Sequence, residues 1–398
     1  MKEKEAPTGF HGVNLILLLT IFCSILLFPF HAKAVQAPLV LIGGGKEDFM
    51  PKSWSESTFK FIVEKANHGK ILVLSCTDEL DSIPSYFIHL GAESAELLKI
   101  PDRPFADDPE TYKAIEKADG LFIVDREILA QINNWRGTRT ESAIRNHFAS
   151  GKIIGGSGTG AQILAEVKAF RKDKDLTPPE AIRSPSAIPF SFQTDFLPLI
   201  PRVLVETHFT RMGGLPIILI KIAQWKLNSP SKDFFGIGID EKTALVIDEN
   251  LNAKVLGEGT VTFVAAASSS TIRLDPRLPP IFSEVTCDVL TEGFVYNVSE
   301  RRVVTVPPTA VQGAAFPGGG TYRPILIDGS NDSSATLGDF EIFNHNRDSL
   351  ALQLGILDER PGEQAIWGTV IMSSGFSHQD YYENRLGEQR NFYSSSDD

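Results

Sequence analysis

From Pro38 to about Val264, short apolar runs alternate with stretches whose apolar residues recur at helical spacing. Leu39-Val40-Leu41-Ile42 is apolar at every position and gives way to Gly43-Gly44-Gly45, the pattern of a strand buried on both faces that ends in a turn. Residues 55–66 place Phe59, Phe61, Ile62, Val63 and Ala66 on or near one helical face. A second buried strand is predicted at 71–74, followed by a helix near 83–90. Residues 97–100, 120–124 and 152–154 supply further strands, separated by helices at about 109–117, 127–133 and 141–149. Runs that are apolar on both faces and alternate with helices predict an α/β fold, a parallel sheet with helices on both faces.

The pattern changes after Asp240. Residues 243–248, 253–257 and 260–266 are short β runs separated by turn residues, and strands are predicted to continue near 284–290, 293–298, 302–306 and 365–372. Pro276, Pro279, Pro280, Pro307 and Pro308 punctuate this part, and 314–320 is a Gly/Pro loop. The expected division is an α/β domain over 35–264, a β-rich region over 265–377 and a polar tail over 378–398 that is expected to be disordered. The β-rich region reads either as a small second domain or as an apron on the first. No internal repeat is visible.

Residues 1–34 stand apart. Lys2 and Lys4 precede an apolar run from Val13 to Phe30, and Ala32-Lys33-Ala34 follows with small residues at both specificity positions. That order predicts a secretory signal peptide cut after Ala34, with an uncleaved anchor as the alternative, and places the protein outside the cytoplasm. Any membrane contact is expected through this segment only. The net charge of −12 argues against nucleic acid, which requires clustered Lys and Arg, and suits solubility or a cationic partner. Beyond the export segment only Cys76 and Cys287 remain, so one disulfide is allowed and a buried free thiol at Cys76 is the competing expectation. The histidines are scattered and form no zinc spacing, so neither a metal nor a cofactor is predicted. Sequons stand at Asn297 and Asn331.

The candidate chemistry lies at 155–161. Ile153-Ile154-Gly155-Gly156-Ser157-Gly158-Thr159-Gly160-Ala161 runs from an apolar strand through a small-residue turn to a helix start. Such a turn carries the nucleophile in hydrolases built on a parallel sheet, because it is strained and brings backbones close together. An ordinary glycine-rich connection has the same form, and the Lys-Ser/Thr ending of a phosphate-binding loop is absent.

This segment resembles the G-G-T-S-A-G-A turn of cyanophycinases and related aspartyl dipeptidases, serine peptidases with a flavodoxin-like or class I glutamine amidotransferase-like sheet. Four other blocks support the resemblance, in order along the chain. Gly43-Gly44-Gly45-Lys46 is similar to the family's opening G-G-G-E, and the run Ile71 to Thr77 is similar to its I-V-V-I-P-T strand. Glu206-Thr207-His208-Phe209 resembles the D-Q-H-F segment that carries the catalytic histidine. Gly236-Ile237-Gly238-Ile239-Asp240-Glu241-Lys242-Thr243-Ala244 matches G-I-G-I-D-E-x-T-A. The resemblance spans roughly residues 38–264.

On this pattern the nucleophilic serine falls on Gly158, which has no side chain to attack a carbonyl. Ser157 and Thr159 flank the gap, with Gly156 and Gly160 completing the elbow. His208 is retained. The family's G-G-D-Q turn falls on Val124-Asp125-Arg126-Glu127, and the arginines that follow its histidine fall on Met212, Gly214 and Ile217, with Arg211 nearby. The triad acid is not placed, and Asp173, Asp175 and Glu180 lie in a suitable stretch. The resemblance therefore implies an exported cyanophycinase-like protein with a degenerate site, binding a peptide or cationic amino-acid-derived ligand through Glu127, Glu206 and Arg211. The alternative is an active peptidase or amide hydrolase that uses Ser157 or Thr159 with His208. A homodimer is compatible with either.

Overall fold

The computed structural model describes residues 37–45, 53–77, 82–171, 189–229, 234–266, 272–275, 278–282, 285–307, 334–336, 351–360 and 363–371. All of them fall in the unit Gln36–Asp398, which is distinct from the unit Met1–Val35. Residues 1–36, Asn331 and residues 378–398 lie outside the described residues.

The first half of the fold follows from strands with no polar face. In β1 (Leu39–Ile42), Leu39 and Leu41 enter one core cluster while Val40 and Ile42 enter another. Helices must therefore cover both sides. The chain continues through α1 (Glu56–Lys65), β2 (Lys70–Ser75), α2 (Ser82–His89), β3 (Ser94–Lys99), α3 (Arg103–Ala106) and α4 (Pro109–Lys117). It goes on through β4 (Gly120–Asp125), α5 (Ile128–Trp135), α6 (Arg139–Ala149), β5 (Ile153–Gly158) and the single turn α7 (Thr159–Gln162). Asp102 and Asp108 cap α3 and α4 by accepting from Phe105 N and Glu110 N, each with proline in the first helical turn, which sets where both helices start. The five strands lie in the order β1-β5-β4-β2-β3, all parallel.

A second sheet follows. Its strands include β6 (Ala165–Phe170), β7 (Ser191–Gln193), β8 (Ile200–Thr207) and, after α8 (Gly214–Asn228), β9 (Phe235–Ile239). The chain then crosses to the first sheet, where β10 (Thr243–Ile247) lies antiparallel beside β1 and is followed by β11 (Asn252–Gly257). It returns to the second sheet with β12 (Val261–Ala266), and β13 (Ile272–Asp275) and β14 (Leu278–Phe282) form a hairpin. β15 (Val285–Leu290) then edges the second sheet, while β16 (Val295–Asn297) and β17 (Arg302–Thr305) edge the first. β18 (Ser334–Thr336), β19 (Ala351–Arg360) and β20 (Glu363–Ile371) make a separate three-stranded sheet. The first sheet has nine strands and the second six.

Three features depart from the sequence pattern. The segment after the elbow, where the sequence places a helix start, makes a single helical turn before β6. α8 was not marked by periodicity, because it is apolar nearly all round and is buried over most of its length. The β runs after Asp240 do not form one block but alternate between the two sheets. Cys76 is a buried free thiol at the end of β2, and burial together with neighbouring Asp125 pushes it up from the ordinary thiol range.

The sequon asparagine at 297 is structural. Its side chain is buried and its Oδ1 accepts from Ser299 N, Ser299 Oγ and Glu300 N, while Nδ2 donates to Asn252 Oδ1 at 2.9 Å and to Asn250 O.

Candidate active site

β5 delivers the elbow. Gly158, its last residue, has φ +57° and ψ −127°, a conformation that side chains of L-residues rarely adopt. The surrounding glycines are fixed by close approach. A Cβ on Gly156 would lie 2.5 Å from Gly160 O, and one on Gly160 would lie 2.0 Å from Ile123 O. The tip differs, since a Cβ on Gly158 would meet only Asp125 O, at 3.4 Å. Space for a side chain therefore remains at Gly158, unlike at the glycines around it.

The flanking residues point elsewhere. A Cβ on Gly155 would meet Phe122 and Ile62, which places that face of β5 under α1. Ser157 lies two residues on, so it shares that face, and it is 3% exposed. Thr159 heads α7 with its Oγ1 buried and without a hydrogen-bond partner.

β1 and β5 are neighbours, with Ile42 opposite Ser157, so Gly43-Gly44-Gly45 emerges beside the elbow tip. His208 follows β8 and is anchored there by its backbone N–H, which donates to Gly43 O at 2.8 Å. Its φ is +52°, an uncommon conformation for a residue with a side chain. A Cβ on Gly44 would lie 2.5 Å from both Cε1 and Nε2 of the imidazole, so the ring rests on the Gly44 backbone.

The other side of the ring meets Glu241, with Nδ1 and Oε1 2.6 Å apart. Arg211 Nη1 donates to the same oxygen at 2.6 Å. Partial burial pushes the Glu241 carboxyl up, but the hydrogen bonds from His208 and Arg211 outweigh it and hold the group below the ordinary carboxylate range. A carboxylate can only accept, so Nδ1 carries a proton, and of the two neutral tautomers the contact selects the one whose lone pair is on Nε2, the tautomer a general base requires. The sequence reading left the acid unplaced. Asp173, Asp175 and Glu180 lie outside the described residues, whereas Glu241 follows β9 at the carboxyl end of the sheet beside His208. Its signal was in the 236–244 block, as an acid directly after a buried strand.

The remaining candidates divide. Glu206 is paired with Lys221 at 2.5 Å, both largely buried, and Lys221 lies 5.0 Å above the Phe190 ring. Its charge is thus internally compensated. Thr207, on the opposite face of β8, accepts from Gln162 Nε2 at 3.2 Å and ties α7 to that strand. Glu127 is exposed before α5. Asp125 is buried and accepts from Cys76 N at 2.7 Å and from Arg126 N, stitching the ends of β2 and β4. Among the described residues no group of three or more His, Cys, Asp or Glu is arranged to hold a metal ion.

The chain is similar to proteins of known identity. A cyanophycinase of Synechococcus elongatus is 24% identical over 281 residues, covering 69% of this chain and 83% of the relative. A cyanophycinase of Geminocystis herdmanii (strain PCC 6308) is 26% identical over 191 residues, 48% of this chain and 65% of the relative. Among solved structures, a peptidase from an acI-B1 Actinobacterium aligns with 67% of this chain and 98% of its own at TM-score 0.45 and 18% identity. No family model matches the chain.

Proposed function

Taking kinship with the cyanophycinases as the premise, we propose that this chain is an exported homologue that binds a peptide or amino-acid-derived ligand at the elbow without forming an acyl-enzyme. The observation that carries this reading is the open space at Gly158 beside the assembled His208–Glu241 pair. A base with its partner is present, and the atom that would attack is absent. Burial of Ser157 and of Thr159 Oγ1 supports the same reading, because neither is presented to a ligand at the tip. Exposed Glu127 remains to attract a cationic group, whereas Glu206 is neutralised by Lys221. Export rests on residues 1–34.

Calorimetric titration of the full chain with a β-aspartyl-arginine dipeptide tests the proposal. Saturable binding with no product released is expected. Turnover that His208→Ala abolishes would sink it.

The His208–Glu241 pair favours one second reading, a hydrolase in which His208 Nε2 activates water directly. Hydrolysis by a chain that resists fluorophosphonate labelling would select it.

A further inference from the structure

We propose that Asp240 is the positioning residue of the His208–Glu241 pair, tying the turn that carries the histidine to the turn that carries the carboxylate. The inference rests on the reading that this pair is the working part of the site.

The two groups belong to different segments. His208 follows β8 and Glu241 follows β9, and their 2.6 Å contact leaves little room for relative movement. A hydrogen bond of this kind weakens once its heavy atoms separate beyond about 3.2 Å. The backbone provides indirect ties, because His208 N donates to Gly43 O and Lys242 N donates to Gly44 O at 2.9 Å. Those ties reach the two turns only through a third segment, Gly43-Gly44, and not from one turn to the other.

The direct ties are the pairing of β8 with β9 as far as Thr207 and Ile239, Phe209 N to Ile239 O at 3.1 Å, the Arg211 side chain on Glu241, and the Asp240 side chain, which is the buried one of the two side-chain ties. Asp240 Oδ1 accepts from Thr210 N at 2.9 Å, two residues after His208. Its Oδ2 accepts from Thr260 N at 3.1 Å and Thr260 Oγ1 at 2.6 Å. Asp240 N in turn donates to Thr260 O at 3.0 Å. One carboxylate thus satisfies three donors and clamps the histidine turn against the start of β12. Asp240 is 7% exposed, so water competes little for these bonds. It acts through His208 and not on a ligand.

The test reads the histidine ring in the ligand-free full chain. With nitrogen-15 labelled histidine at pH 8.5, the Nδ1 and Nε2 signals of His208, assigned by their loss in His208→Gln, are expected to be widely separated, with the proton on Nδ1. Asp240→Ala is expected to collapse that separation toward an average, as Glu241→Gln does. Asp240→Asn is expected to restore much of it, since its amide oxygen still accepts from Thr210 N. A cooperatively folded Asp240→Ala chain with unchanged His208 signals would overturn the proposal. If that variant does not fold, Asp240→Ser keeps a polar side chain that is too short to hold Thr210 N and Thr260 together, and unchanged signals there would overturn it equally. Because no ligand is present, this outcome is independent of whether the dipeptide binds.

Discussion

His208 and Glu241, 33 residues apart in sequence, meet at 2.6 Å where the two sheets come together. The contact fixes the imidazole tautomer. It also makes Glu241 serve two donors, because Arg211 takes the same oxygen. The φ of +52° at His208 carries a backbone cost that neighbouring contacts must offset, and such strain collects at functional sites. A histidine–carboxylate pair is therefore assembled beside a turn whose tip, Gly158, carries no side chain.

Gly158→Ser is expected to fold. Its Cβ meets only Asp125 O at 3.4 Å, so the penalty is the backbone conformation, about 1–3 kcal/mol. Gly160→Ala, by contrast, drives a Cβ to 2.0 Å from Ile123 O and is expected to abolish folding or lower the melting temperature far more. With His208 beside it, the new serine is expected to label with a fluorophosphonate, while peptide turnover stays slow because the 124–127 turn is altered. A folded Gly158→Ser chain that never labels would count against the intact pair.

Acid should weaken the fold partly through Glu241. Its folded pKa lies below the ordinary 4.5, so the stability it contributes is complete above that value and is lost as pH falls through the folded pKa. Glu241→Gln removes this component. Urea midpoints of the wild type and the variant should therefore converge as pH drops below 4.5, and parallel curves would refute the assignment.

Two buried basic side chains give stability slopes in separate windows. Burial is the main cause that lowers His147 to about 4, with Lys152 adding to it, while the bond to the Ile153 carbonyl, the Ile115 carbonyl and Asp119 oppose it. The unfolded state binds the proton first, so stability falls from pH 6.5 down to about 4, at no more than roughly 1.4 kcal/mol per pH unit. Lys168, 1% exposed and held by the Phe196 and Leu197 carbonyls, is lowered to about 7 by burial and by Arg145, against Glu141, Asp195 and Glu166. Stability should rise from pH 7 toward 10.5 as the folded chain sheds this proton first. His147→Gln should flatten the first slope and Lys168→Met the second, each read from urea midpoints.

Asn297→Ala should destabilise by about 2 kcal/mol, because three donors around its Oδ1 lose their acceptor in a buried setting. The same bonds hold its Nδ2 away from solvent, so mass spectrometry of the chain made in a glycosylating host should find Asn297 bare.

Much of the parallel sheet was legible because its strands are apolar on both faces and its helices have one apolar face. β1 and α4 begin and end where the sequence pattern puts them. α8 was not legible, since a helix buried nearly all round has little periodicity. Nor was the division into two sheets, because a strand's pattern reports that it is buried and not which neighbour it joins. β15 and β16 follow one another in the chain yet join different sheets.

The site divides in the same way. Sequence by itself determined the elbow, its glycine tip and the retained His208, because these are identities at positions along one segment. Tertiary structure decided that Glu241 is the partner of His208, that Glu206 is paired with Lys221, and that Ser157 faces α1 and not the tip. The physical reason is direction. A residue's chemistry is written in the sequence, but the neighbour its side chain meets is set by the face, the register and the crossing of strands that lie far apart along the chain.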